Sequence, residues 1–248
     1  LRPHKHQAIS ARNISKLVAG SKLMASHANC GEVQDAYSIR CASQVHGAAR
    51  QSIAHLREVV EVELSSVTDN PILIRDEVIS AGHFHGEPVG LALDYAKLGI
   101  SELASISERR TERSLNKDLN RGLPAFLVAT PGLNSGLMIL QYTAAALVSE
   151  NKVLSHPSCV DSIPTGANQE DHVSMAMNAA LHARKVLANS RRVIAIEMLV
   201  AAQALDCRAA LQAEQPGHGV RAAWEAVRKQ SPHVSVDRSL AADIEALD

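Results

Sequence analysis

Aromatic side chains are almost missing from this 248-residue chain: Tyr37, Phe84, Tyr95, Phe126, Tyr142 and Trp224 are all it has. With so few rings, the core must be built from small and aliphatic residues, which favours helices packed close together. Cysteine is scarce as well. Cys30, Cys41, Cys159 and Cys207 match neither a zinc spacing nor a redox CxxC, and a chain of this size needs no disulfide staples, so reduced thiols in a cytoplasmic setting are expected. An excess of one charge is also absent. Twenty-five basic against 26 acidic residues leave a formal charge of -1, so no net field draws in nucleic acid or an anionic membrane. The longest apolar run, Leu137 to Val148, is interrupted by Gln141 and Thr143 and is too short to span a bilayer. No secretory signal opens the chain, and its polar start (Leu1, Arg2, Pro3, His4, Lys5, His6) reads as the interior of a longer polypeptide.

Where Gly and Pro are lacking, helices are expected, because both residues are costly inside one. Ala167 to Gln215 contains neither and is rich in Ala, Leu, Met, Arg and Glu, enough for one very long helix or two with a tight joint. Shorter runs free of breakers cover Ala48 to Asn70, Ile100 to Arg121 and Leu137 to Ser155. The pattern predicts an all-α bundle of four long helices. One short hairpin is expected from Pro71 to Ile74 and Val78 to Ser80, around the turn Arg75, Asp76, Glu77. The helix from Leu137 is apolar on nearly every side and should sit centrally. A single chain with so few rings would cover it poorly, so an oligomer sharing one core is expected.

Three constellations stand out. Gln34, Tyr37 and Arg40 recur every three residues and would project from one face of a helical turn. An Arg fork is suited to a carboxylate and a Tyr one turn away to proton transfer, while a solvated polar face with a surface ion pair reads equally from the spacing. Gly82-His83-Phe84-His85-Gly86-Glu87-Pro88 alternates His, His and Glu. It lacks the HExxH spacing and any apparent third ligand set, so a helix-entry turn is expected and no metal. Asn168-Gln169-Glu170-Asp171-His172 leads into the long run: helix capping accounts for Asn168 and one acid, and a binding role is open for the rest.

Together with Asp69-Asn70-Pro71, Ser107-Glu108-Arg109-Arg110, Leu123-Pro124, Phe126-Leu127, Asn134-Ser135-Gly136, Ser149-Glu150-Asn151-Lys152 and Val173-Ser174-Met175, these segments resemble the histidine ammonia-lyase family along nearly the whole chain. Ala36, where the family usually has Pro, and His83, where Asn is common, depart from its pattern.

The resemblance implies the long-helix bundle of the aspartase/fumarase-like superfamily, as a homotetramer whose active sites mix residues from several subunits. It implies deamination of histidine to urocanate and ammonia, as in histidine degradation, on a methylidene-imidazolone electrophile formed from an internal Ala-Ser-Gly. That tripeptide is missing from the sequence, so residues 1–248 are expected to be a C-terminal helical domain, inactive alone, with the electrophile-forming domain elsewhere. By resemblance, Tyr37 and Glu170 are catalytic, while Gln34, Arg40, Phe84 and Gln169 bind substrate. Glu170 favours imidazole, since a phenyl ring would leave the carboxylate buried and unpaired. A tyrosine or phenylalanine ammonia-lyase, an aminomutase, or a non-catalytic helical assembly are the alternatives.

Overall fold

The computed structural model describes residues 2–25, 27, 30–31, 33–211 and 215–248. Leu1 and the end of the long breaker-free run, residues 212–214, lie outside the described residues.

Four long helices make the bundle: α4 (Ala42–Glu63), α5 (Glu87–Leu115), α6 (Met138–Leu154) and α7 (Ala176–Leu211). Five shorter ones complete the described helices: α1 (Lys5–Val18), α2 (Lys22–Ala25), α3 (Tyr37–Arg40), α8 (His218–Gln230) and α9 (Ala241–Leu247). The strands β1 (Ile72–Ile74) and β2 (Glu77–Ile79) pair antiparallel, with Leu73 opposite Val78. The turn is one residue shorter than the sequence suggested. Glu77 pairs with Ile74, and Arg75 takes a left-handed φ of 55° to close the hairpin. None of the described helices is long and apolar enough to cross a membrane.

Small residues explain how α5 and α7 form the heart of the bundle. Ala92, Ala96 and Ala104 of α5 and Ala179, Val186, Val193 and Ile196 of α7 are buried, and such short side chains let the two backbones approach. Glycines expected to end helices instead lie inside them. A Cβ on Gly99 would come within 2.1 Å of Ser52 Oγ and 3.0 Å of Ala49 Cα, and one on Gly47 within 2.6 Å of Gln7 Cα. At these two crossings, α5 on α4 and α4 on α1, the missing side chain is what permits contact, and packing outweighs the roughly 1 kcal/mol of lost helix propensity.

Within the single chain α6, expected to be covered only in an oligomer, lies at the periphery. It packs on α5 and α7 through Leu140, Ala144 and Asn151, while Ile139, Tyr142 and Val153 on its outer face are 61%, 66% and 73% exposed. Polar side chains tie it inward. Asn189 donates to Glu150 (2.6 Å) and to Asn151 (3.0 Å), and Asn151 donates to Ser190 (3.1 Å). At the far end, Asp206 of α7 accepts from Trp224 Nε1 at 2.7 Å and from Arg228 at 2.6 Å, which fastens α8 to α7. The loop before α6 is fixed by the Asp237 carboxylate, which accepts the backbone N–H groups of Ser135 and Gly136, both at 2.8 Å.

Candidate active site

The first group of site residues forms at the C-terminal end of α5. Only Tyr37–Arg40 is helical. Gln34 lies ahead of that turn, and Arg40 reaches back so that its Nη1 donates to Gln34 Oε1. Gln34, Tyr37 and Arg40 are all exposed, Tyr37 by 72%. Of the three, Gln34 lines a cleft of about 590 Å³, together with Asp35, Arg110, Arg113, Arg121 and Glu197, among others; Tyr37 and Arg40 stand outside its lining.

What holds this turn in place is a pair that spacing did not reveal. Arg110 of α5 grips Glu197 of α7 with its fork, Nε to Oε1 and Nη2 to Oε2 at 2.8 Å, and its Nη1 donates to the Ser38 carbonyl at 3.3 Å. Arg110 belongs to the Ser107-Glu108-Arg109-Arg110 motif, but Glu197 sits mid-helix with no local signal. His46 is beside them, its Nε2 buried without a hydrogen bond. Burial, and then the Arg110 charge, hold its pKa below the usual imidazole value.

The second group forms at the opposite end. Phe84, 58% exposed, stands just before α5. The helix-entry reading of its loop holds: Gly86 is the N-cap, Glu87 is in the first turn, and Pro88 is near the first position. Asn168 is not a cap, however, and Glu170 and Asp171 are not in a first helical turn, because α7 starts only at Ala176. Gly166, Ala167 and Asn168 all take left-handed φ values of 56°, 55° and 69°, which breaks the chain away from helix without any Pro. Thr165 and Glu170 then pair backbone to backbone (N···O 3.0 and 3.3 Å), and the Thr165 hydroxyl donates to the Glu170 carboxylate. Two successive left-handed non-glycine residues are strained, and the knot around them holds an exposed Gln169 and Glu170 at its edge.

Within one chain the two groups stay apart. The Phe84 and Glu170 loops meet at the start of α5, where His85 Nε2 lies 3.0 Å from the His172 carbonyl. The Arg40 turn rests on Arg110, 23 residues further along (110 − 87), which at 1.5 Å per residue is about 35 Å.

The chain is thus a bundle of long helices with the Gln34–Arg40 turn at one end of α5 and a strained amide–carboxylate loop at the other. The chain belongs to the aromatic amino acid lyase family, whose pattern it matches over residues 1–229. It is 55% identical to the histidine ammonia-lyase of Gloeobacter violaceus over 99% of this chain and 48% of that protein. The histidine ammonia-lyase of Symbiobacterium thermophilum is 54% identical over all of this chain and 48% of that protein. Among solved structures, the histidine ammonia-lyase of Trypanosoma cruzi superposes with a TM-score of 0.88 at 46% identity, covering 99% of this chain and 46% of that one. The tyrosine aminomutase of Streptomyces globisporus superposes at 0.89 with 36% identity, over 99% of this chain and 50% of that one. The chain thus spans about half the length of the curated relatives it matches.

Proposed function

We propose that this chain is the C-terminal helical domain of a cytoplasmic histidine ammonia-lyase, removing ammonia from L-histidine to leave urocanate, and that it is inactive alone. The observation that carries the reading is the coupling of an exposed Arg40 to Gln34 at the edge of a cleft that Gln34 lines, with a carboxylate, Glu170, fixed on a strained loop.

Each side chain has a task. The Arg40 fork takes the substrate carboxylate in two parallel charge-assisted hydrogen bonds, with Gln34 steering the guanidinium. Tyr37 moves a proton at the reacting end. Glu170 accepts the imidazole N–H, beside the Gln169 amide, and Phe84 covers the ring. For a phenyl ring the Glu170 contact would be a loss of several kcal/mol, which favours histidine.

When bound, methylidene-imidazolone would supply the electrophile that turns the amine into a leaving group, with Tyr37, Gln34 and Arg40 holding substrate against it. Its Ala-Ser-Gly precursor is not in these 248 residues, and Gln34, Tyr37 and Arg40 face solvent with room for a group brought from elsewhere.

The site is assembled from several copies, in a homotetramer. Two observations support this: the half-sites lie at opposite ends of α5, and the outer face of α6 presents Ile139, Tyr142 and Val153 to solvent. The test is to give the complete protein histidine, tyrosine and phenylalanine separately. Urocanate is the expected product; coumarate, cinnamate or a β-amino acid would reassign it to another lyase or an aminomutase. Arg40→Ala should weaken histidine binding by about 2 to 5 kcal/mol, and an unchanged KM would remove Arg40 from the pocket.

A further inference from the structure

A cluster of metal-ligating side chains lies where the Phe84 loop meets the Glu170 loop. Ligand atoms of His85, Glu87 and His172 are within 4.8 Å of one another. From spacing alone no metal is expected, because His83, His85 and Glu87 alternate without a further ligand. The fold supplies that ligand from 87 residues away and leaves His83 out.

Two independent details favour an ion there. A carbonyl oxygen can only accept, so the 3.0 Å contact from His85 Nε2 to the His172 carbonyl fixes the proton on Nε2 and leaves the lone pair on Nδ1. This is how histidines that ligate metals are ordinarily oriented, the second ring nitrogen donating to a backbone carbonyl. The Nδ1 lone pair meets only the Glu87 backbone N–H, at 3.4 Å, too long to hold it firmly. Second, Glu87 Oε2 is buried and accepts no hydrogen bond, an unmet carboxylate oxygen at the edge of the same cluster. Leaving such an oxygen bare is unfavourable, and a cation satisfies it.

We propose that His85, Glu87 and His172 form a binding site for one divalent cation of the zinc type, distinct from the residues assigned to histidine deamination. The two imidazoles are borderline donors, and with one carboxylate beside them they favour Zn2+ or Co2+ over Mg2+ or Ca2+, which take all-oxygen sets. Ligand atoms around tetrahedral zinc stand about 3.4 Å apart, so the cluster has to contract. His172 is exposed and its ring is the one with room to move. Three protein ligands leave a fourth position to water. The ion pins the loop bearing Phe84 to the loop bearing Gln169 and Glu170, which otherwise meet here through the His85 hydrogen bond and tilted His85–His172 ring contact, centroids 5.8 Å apart.

The test reads metal content, so it is independent of any lyase activity. The full-length protein carrying this chain is stripped with a chelator and titrated calorimetrically with zinc chloride. Cobalt(II) chloride is added in parallel to read visible ligand-field bands. The expected result is one equivalent per chain with a Kd tighter than about 10 µM, weakened at least about tenfold in His172→Ala and in Glu87→Gln, and unchanged in His83→Ala. His172 is exposed, so its variant folds, and circular dichroism verifies this for both. No stoichiometric binding by the wild-type protein, or equal binding by all four proteins, overturns the proposal.

Discussion

Asp94 and Lys97 form an ion pair of 2.6 Å on the inner face of α5, with the lysine side chain wholly buried. Lys97 also donates to the His156 carbonyl at 2.9 Å, and Asp94 accepts the Cys159 N–H at 2.8 Å. One buried pair therefore ties the loop after α6 to the central helix. Removing one partner strands the other charge, so Asp94→Ala should destabilise the fold by about 3 to 5 kcal/mol, while Asp94→Leu with Lys97→Met recovers most of that. Urea unfolding measures both; equal losses in the single and double variants would contradict this account.

Arg110 and Glu197 make the analogous prediction for function. Replacing Arg110 with Lys keeps the charge but loses the fork and its bond to Ser38. The Arg40 turn should shift, and kcat/KM of the complete enzyme should fall by about a hundredfold with little change in Tm. A variant as active as the parent would show that Arg110 does not position the site.

Acid should unfold the protein in a foreseeable way. Burial raises the Asp94 carboxyl, but hydrogen bonds from Cys159 and Lys97 more than reverse this and leave it below its usual range. The Arg238 fork, at 2.7 and 2.8 Å, lowers Asp243 likewise. A carboxyl with a depressed native pKa stabilises fully above its unfolded value of about 4 and loses that contribution as pH falls through the native value. His46, depressed too, begins to withdraw its share as pH drops below about 6.5. Asp243→Asn should therefore lower stability at neutral pH and flatten its dependence below pH about 4. Chemical denaturation across this range is the check, and a slope identical to wild type would exclude Asp243 as a source.

The thiols divide by environment. Burial, and then the neighbouring Asp94 carboxylate, push Cys159 up to about 11, whereas Cys30 is exposed. Native Cys159 should react with iodoacetamide about a hundredfold or more slowly than free cysteine at pH about 8, and should become reactive in denaturant. Peptide mapping by mass spectrometry would reveal the opposite if Cys159 labelled promptly in the folded state.

Much of this architecture is legible in the sequence. The run Leu137 to Ser155 is α6 (Met138–Leu154) almost residue for residue, its start following Gly136, whose φ is positive. The start of α7 is not legible, because Ala167, Asn168 and Met175 leave the helix through left-handed φ values that no Gly or Pro announces. The start of α5 is legible in Glu87 and Pro88, but its continuity is not: Gly90 and Gly99 look like interruptions until the approach of the Ser174 carbonyl and of Ser52 explains them. At the site, the three-residue spacing suggests one helical face for Gln34, Tyr37 and Arg40, but only Tyr37–Arg40 is helical and Arg40 reaches back to Gln34. The spacing could not foretell that Glu170 would lie a helix length away, since long-range placement depends on which helices cross.

The length of α5 has a genetic corollary. Because it keeps Arg40 and Glu170 of one polypeptide apart, a mixed assembly of two differently damaged subunits should contain a pocket built entirely from the undamaged ends. Co-expressing Arg40→Ala with Glu170→Ala in the complete enzyme is thus expected to rescue part of the turnover that each alone impairs. Inert mixtures would mean that both groups come from the same copy.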